Sequence, residues 1–450
     1  MFAPIGLQYG YPNVGMIASL LQTNALEATE FADTYTILSF VVLLALSGVV
    51  FFLTKHIKST KKQRRFFQIF ACLLIALFVV NIFSVKHRQL RMDYSELLNI
   101  FPHSLHQYRI YHDNQQKMQE MLHKKDTWQI THHQPHYQNY VIVMGESASR
   151  NYLSAYGYPV KTSPFLENVN GTKYTQLIAP AAYTTLSIPR FFSIPNPSEV
   201  EYHNNVITLA KKANMQTFWI SNQDKLGEHE NEVAYIANHA DQQYYLKEAK
   251  PTGNHYDYEL LEEINRVLAQ PNKQPKLIIV HLMGSHARFA RRVDVNRPKF
   301  TFQDTYLSDY LSSLLQTDIF LQELYASLQN NKQPFSMIYL SDHALTAREL
   351  KHGLSQFSLQ VPLFKLSSDD IEQTTNHDII TGFGFVWFLS EWLGIKTNNQ
   401  ANNTFINHHQ AQSLSMVKIF GNKIDDYHNI EKFDGALLKP TSQELATLNQ

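Results

Sequence analysis

Glu146, Asp342 and His343 each stand just past an apolar run. Glu146 follows Tyr140-Val-Ile-Val-Met-Gly145, and the Asp-His pair follows Phe335-Ser-Met-Ile-Tyr-Leu-Ser341. In the same way His286 follows Leu277-Ile-Ile-Val-His-Leu-Met-Gly-Ser285, and Asn222 follows Thr217-Phe-Trp-Ile-Ser221. Carboxylate oxygens and imidazole nitrogens suit Zn²⁺, which takes three or four such donors from separate places in a chain. A single acidic residue after a strand is more often a helix cap. Several arriving from different runs point to a metal site. Metal-assisted transfer also needs a nucleophile, and Ala181-Ala-Tyr-Thr-Thr-Leu-Ser-Ile-Pro-Arg190 is dense in hydroxyls. Thr184 in this stretch reads as an ordinary helix cap. Alternatively, if it meets the metal, it is a hydroxyl whose proton is far more easily lost, at a helix N-terminus that favours an incoming phosphate.

Such side chains converge only if the runs before them are neighbouring strands. The runs Tyr140–Met144, Thr217–Ser221, Lys276–Met283, Phe335–Leu340 and Val361–Leu366 are short and continuously apolar, as expected of strands buried on both faces. Helical periodicity at Leu260–Ala269 and Tyr306–Leu328 falls between them. Alternation of this kind predicts an α/β fold, a mostly parallel central sheet sandwiched by helices. In such sheets ligands bind at the carboxyl edge of the strands, where these polar residues fall.

The rest of the chain sets the surroundings. Lys plus Arg and Asp plus Glu each number 39, so no global basic field invites nucleic acid. Cys72 is the one cysteine, which excludes an internal disulfide. Tyr35–Leu53 and Phe66–Val85 carry no charge, and each is long enough to span the hydrocarbon of a bilayer. Between them crowd Lys55, Lys58, Lys61, Lys62, Arg64 and Arg65, which by the positive-inside rule marks a cytoplasmic loop. Residues 1–34 and everything after Val85 then lie on the far side of the membrane. Within residues 1–34, a helical period places Ser19, Thr23 and Glu27 on one face of an amphipathic segment, which by itself reads as a solvated face. Residues 86–138 are polar and rich in His and Gln, and read as a connector along the membrane surface. His132, His133 and His136 near its end are metal candidates that a solvated linker explains better.

Taken together, Gly145-Glu-Ser with Arg150, Tyr156-Gly-Tyr158, Thr162-Ser-Pro164, Tyr183-Thr184, Trp219-Ile-Ser-Asn-Gln223, His281-Leu-Met-Gly-Ser-His286, Thr317-Asp318, Ser341-Asp-His343 and His352-Gly353 resemble the ordered motifs of the bacterial phosphoethanolamine transferases. These belong to the alkaline phosphatase and sulfatase-like superfamily. The resemblance implies a periplasmic catalytic domain over residues 139–450, with two transmembrane helices over 35–85 in the bacterial inner membrane. It implies zinc held by Glu146, Thr184, Asp342 and His343, with Thr184 as the nucleophile. His286 and His352 would bind the phosphoryl group or move protons, and Asn222 would position phosphoethanolamine. Ser19, Thr23 and Glu27 would line the site of a phosphatidylethanolamine donor. The two apolar runs match the family's last two spans, and the usual first three have no counterpart here.

The absence of cysteines around Tyr183-Thr184 resembles the cysteine-poor branch, whose acceptors include core sugars of lipopolysaccharide. Ala344-Leu345 stands where the family commonly has Gly-Glu. Ser187-Ile-Pro189 evokes the formylglycine motif of true sulfatases, but Phe191 takes the place of its arginine. Alternatives on the same scaffold are a phosphoglycerol transferase or phosphodiesterase, or a truncated, inactive homologue that serves as a binding partner.

Overall fold

The structure is a computed structural model that describes residues 94–121, 124–196, 200–225, 232–271, 273–399, 413–421, 423–432 and 436–448, together with Val14, Ile17 and Leu21. The two uncharged runs, their basic loop, and Ser19, Thr23 and Glu27 lie outside the described residues. Among the described residues no helix is long and apolar enough to cross a membrane. The chain divides into a unit of residues 1–12 and 23–109 and a second unit of residues 13–22 and 110–450. Of the first, the described part is the beginning of helix α1 (Tyr94–Met121), which contains Pro102.

An eight-stranded sheet organises the second unit. Its strands are β1 (Asn139–Gly145), β2 (Gly171–Ile178), β3 (Gln216–Ser221), β4 (Gln242–Tyr245), β5 (Lys276–His281), β6 (Phe335–Ser341), β7 (Gln360–Ser367) and β8 (Gln373–Thr381). They lie in the order β8-β2-β7-β6-β1-β5-β3-β4. Every neighbouring pair from β6 to β4 is parallel. β7 is antiparallel to both its neighbours, so it alone runs against the rest. All five runs read as strands are in this sheet, which is the mostly parallel architecture the apolar runs predict.

Alternation along the strands builds a core on each face. Tyr140, Ile142 and Met144 of β1 join Ile338 and Leu340 on one side, under α2 (Thr184–Phe192), α3 (Val206–Lys212) and α6 (Phe385–Trp392). Val141 and Val143 join Met337 and Tyr339 on the other, under α4 (Leu260–Leu268) and α5 (Thr305–Asn330). α4 buries Leu260, Ile264, Val267 and Leu268, the helical stripe that made it legible. On the second face Asp318 of α5 accepts the backbone N–H of Phe165 (2.8 Å) and Leu166 (3.1 Å), tying down the turn after Thr162-Ser-Pro164.

Ahead of β1, Trp128 is buried edge-on against Trp387 at 5.9 Å. The short strand Ile130–His133 pairs with Ile395–Thr397, so this end of the connector is part of the folded unit. His136 meets Asp369 at 3.3 Å on the surface, and among the described residues His132, His133 and His136 join no carboxylate cluster. Val14 and Ile17 are buried, and Val14 packs in a small apolar cluster with Ala181 and Leu186 beside α2.

Candidate active site

Strand register decides which residues meet. Gly145 of β1 lies opposite Ser341 of β6, Met144 opposite His281 of β5, and His281 opposite Ser221 of β3. The residues that follow each strand therefore leave the sheet abreast, at its carboxyl edge. Glu146, Asp342 and His343 are buried there, and each offers a ligand atom within 4.8 Å of the other two. His343 Nε2 is 3.4 Å from both Glu146 Oε1 and Asp342 Oδ2. Asp342 Oδ1 accepts the N–H of Ser147 and of His343, while Oδ2 has no hydrogen-bond partner.

Glycine and strain shape this turn. Gly284, at φ +49°, approaches Glu146 so closely that a Cβ would lie 2.9 Å from its backbone N. Ser285 N–H then donates to Glu146 O at 2.9 Å. Ser147 adopts a left-handed φ of 58°, a costly conformation for a non-glycine residue and one that collects at functional sites. Its hydroxyl donates to Glu146 Oε1 at 2.6 Å.

Thr184 is the first residue of α2, and its Oγ1 donates to Glu146 Oε2 at 2.8 Å, with His343 Nε2 3.3 Å away. The Tyr183 side chain does not cap the helix; its carbonyl takes the N–H of Leu186 at 3.1 Å and of Ser187 at 2.8 Å, and the N-terminal end of α2 with its positive dipole points at the Thr184 side of the site. α2 is held in place from behind: Ser187 Oγ donates to Asp342 O at 2.5 Å, and Arg190 stacks on the Phe420 ring at 3.8 Å.

The histidines complete the floor. The His352 ring is 5.0 Å from that of His343 and 6.4 Å from that of His286, and it stacks on Tyr183 at 5.7 Å. Nδ1 of His286 and of His352 has no hydrogen-bond partner. Burial pulls His286 down to about 4 against the opposing charge of Glu146. Burial likewise holds His352 well below its ordinary value, helped by His343 and His286. Both are neutral imidazoles at pH 7. His281, a residue without an assigned role in the sequence reading, ends β5 with Nε2 unpartnered, and burial lowers it to about 4. Asn222 is fully buried beside it and donates its backbone N–H to His281 O at 3.0 Å.

Electrostatics test whether a cation belongs here. Burial raises Glu146 and the neighbouring Asp342 raises it further, against the opposing pull of His343 and His286, so two buried carboxylates repel one another here. Burial pulls His343 down, but Asp342 and Glu146 outweigh it and its proton affinity is raised. His343 Nδ1 faces Ala344 O at 3.1 Å, which leaves Nε2 with its lone pair toward the carboxylates, the usual second contact of a metal-binding histidine. The unpartnered Asp342 Oδ2 and this oxygen-and-nitrogen donor set fit a divalent zinc ion. Ala344-Leu345 follows without disturbing the site. Leu345 is buried in an apolar cluster with Tyr152, Tyr310 and Phe357, a place that would not accept a charged glutamate.

A carboxylate-histidine site beside a helix-terminal threonine, on this sheet, defines a sulfatase-like enzyme. The sulfatase family matches residues 138–395, more than half of the chain, and the family described as "Phosphoethanolamine transferase EptA/EptB" matches residues 7–92. Phosphoethanolamine transferase OpgE of Escherichia coli is 31% identical over 95% of this chain and 84% of its own length. The chain belongs to the phosphoethanolamine transferase family. Solved structures share the fold. The integral membrane lipooligosaccharide phosphoethanolamine transferase A of Neisseria meningitidis superposes with TM-score 0.60 at 16% identity, over 87% of this chain and 81% of that one. The zinc complex of the C-terminal periplasmic domain of E. coli EptC superposes with TM-score 0.57 at 19% identity, over 68% and 98%.

Proposed function

We propose that the protein transfers phosphoethanolamine from phosphatidylethanolamine to a lipopolysaccharide acceptor, through a covalent intermediate on Thr184. The observation that carries this reading is the 2.8 Å bond from Thr184 Oγ1 to Glu146 Oε2 at the N-terminus of α2. Glu146, Thr184, Asp342 and His343 would hold zinc, which when bound supplies the positive charge that makes a threonine hydroxyl acidic and meets a phosphoryl oxygen. Thr184 Oγ attacks phosphorus, and its proton passes toward Glu146 Oε2. The bond from phosphorus to the diacylglycerol oxygen breaks, and that oxygen leaves as a hydroxyl with the proton that Thr184 passed to Glu146. His286 and His352, as neutral N–H donors, and the N-terminal end of α2 face the charge that grows on the phosphoryl oxygens. A hydroxyl or phosphate of the acceptor then displaces the group and restores Thr184. Asn222 would help position phosphoethanolamine.

Around this site we place a multi-pass anchor in the inner membrane over residues 35–85. Residues 86–138 form the connector, and residues 139–450 form a periplasmic domain. Ser19, Thr23 and Glu27, within the membrane-adjacent segment 1–34, would serve the lipid donor. The family's relatives named as phosphoethanolamine transferases, the membrane-integral Neisseria enzyme and the zinc complex of E. coli EptC support this arrangement.

Mass spectrometry of the Thr184 peptide, from protein incubated with a mixture of phosphatidylethanolamine and phosphatidylglycerol, tests the chemistry. A phosphoethanolamine adduct is expected, whereas a phosphoglycerol adduct would indicate the other donor. Thr184→Ala should reduce transfer by at least about 1,000-fold and leave the fold intact; near-normal transfer would overturn the assignment. Comparing lipopolysaccharide from cells with and without the protein tests the acceptor, and an unchanged profile would rule it out.

A further inference from the structure

Asp257 stands at the start of the 3₁₀ turn Asp257–Glu259 that leads into α4, and it contributes nothing to the Glu146-Asp342-His343 cluster. Its carboxylate nevertheless gathers three donors from two strand ends. Oδ1 accepts Asn222 Nδ2 at 2.8 Å and Met283 N–H at 2.8 Å, and Oδ2 accepts Gly284 N–H at 2.8 Å. An ionised carboxylate can only accept, and it can take several such bonds at once.

Two consequences follow from that chemistry. On the β5 side, the Met283–Gly284 turn is the one pressed against the backbone of Glu146. His286 N–H closes the turn on Met283 O at 3.1 Å, so the bond at Gly284 also locates His286. On the β3 side, both neighbours of the Asn222 amide, Asp257 Oδ1 and His255 O at 3.4 Å, are acceptors. The amide must therefore present Nδ2 to them. Its Oδ1 is left buried without a partner, as an acceptor for a donor group.

Resting on the reading above, we infer that Asp257 is the positioning residue of this site: one carboxylate sets both the turn that carries His286 and the orientation of the Asn222 amide. An amide at position 257 would set its own N–H against one of the three donors and release either the turn or Asn222. The released group drifts by a fraction of an ångström, while the metal-ligand cluster on β1 and β6 keeps its contacts.

The test uses full-length protein in nanodiscs containing phosphatidylethanolamine, comparing wild type, Asp257→Asn, His286→Ala and the double variant. Asp257→Asn should lower kcat by about 30–100-fold. The donor KM should stay within about threefold, with zinc per chain unchanged and faster amide exchange in the peptide spanning 282–287. Because part of the Asp257 effect runs through the His286 turn, the loss in the double variant should fall short of the product of the two single losses. Wild-type kcat in Asp257→Asn, or losses that multiply in the double variant, would overturn the inference. If Asp257→Asn does not accumulate folded, Asn222→Ala in the same cycle tests the β3 half of the clamp, where a kcat equal to wild type overturns it. If the wild type neither transfers phosphoethanolamine nor labels Thr184, the functional reading fails. The exchange and zinc measurements then decide the clamp, which unchanged exchange at 282–287 would refute.

Discussion

Gly284→Ala is the substitution whose consequences follow most directly from the geometry. The residue sits at φ +49°, and a left-handed alanine costs about 1–2 kcal/mol. Its new Cβ would meet Glu146 N at 2.9 Å, Glu146 O at 3.0 Å and Glu146 Cβ at 3.2 Å. Two of these are backbone atoms of a strand end held by Ser285 N–H and by the sheet, so no rotamer change relieves the overlap. Overpacking of this kind adds about 1–3 kcal/mol, for a total loss of about 2–5 kcal/mol. Relief comes by pushing Glu146 away from Thr184, and a misplacement near 1 Å at a reacting group costs about 100-fold in rate. Gly253→Ala is the matched control. Gly253 has φ +105° with nothing within 4 Å of the built Cβ, so it carries the backbone cost alone and should leave transfer unchanged. Unfolding midpoints, zinc content and transfer rate of the two variants check the reasoning. Gly284→Ala with wild-type rate and zinc content would refute the claim that this contact sets Glu146.

Further outcomes follow from the same site. Glu146→Gln, Asp342→Asn and His343→Ala should each lower zinc content measured by elemental analysis, whereas His286→Ala should lower transfer far more than zinc. His281, buried and lowered to about 4, stays neutral in the folded chain, while the unfolded chain takes up a proton near pH 6.5. Stability therefore falls as pH drops from 6.5 through 4, by about 3 kcal/mol for this group, and is unaffected by it above that window. His281→Phe should remove that share of the slope, read as the difference in chemical unfolding at pH 7.5 and 4.5. Leu345→Glu would bury a carboxyl among Tyr152, Tyr310 and Phe357, raise its pKa and cost up to about 5 kcal/mol at neutral pH. The loss should shrink as pH falls and the carboxyl becomes neutral, which thermal unfolding at pH 7.5 and 5 would show.

Much of this was legible because burial on both faces forces a strand to be continuously apolar. β1, β3, β5, β6 and β7 announce themselves that way, and the polar residues past the four that run parallel, β1, β3, β5 and β6, name the candidates for the carboxyl edge, whereas β7 runs the other way. β2, β4 and β8 escape the same reading. Gly171-Thr-Lys-Tyr-Thr-Gln176 is largely polar and half-buried, Gln373-Thr-Thr-Asn-His-Asp378 is largely polar and mostly exposed, and Gln242–Tyr245 is short and lies at the sheet's edge. The α4 and α5 periods survive because each helix buries a single stripe or nearly a whole flank.

The sequence by itself determined the donor types, the threonine at a helix start and the apolar runs that carry them, since these are properties of residues and their immediate neighbours. Only the tertiary structure decided the partners. Register between β1, β5 and β6 puts Glu146, His286 and Asp342 on one edge, and no local pattern encodes register between strands so far apart in the chain. Asp257 shows the limit most clearly. It follows no apolar run and matches no spacing, yet its carboxylate is bonded to Asn222, Met283 and Gly284, because what a carboxylate does is set by the donors that folding brings to it.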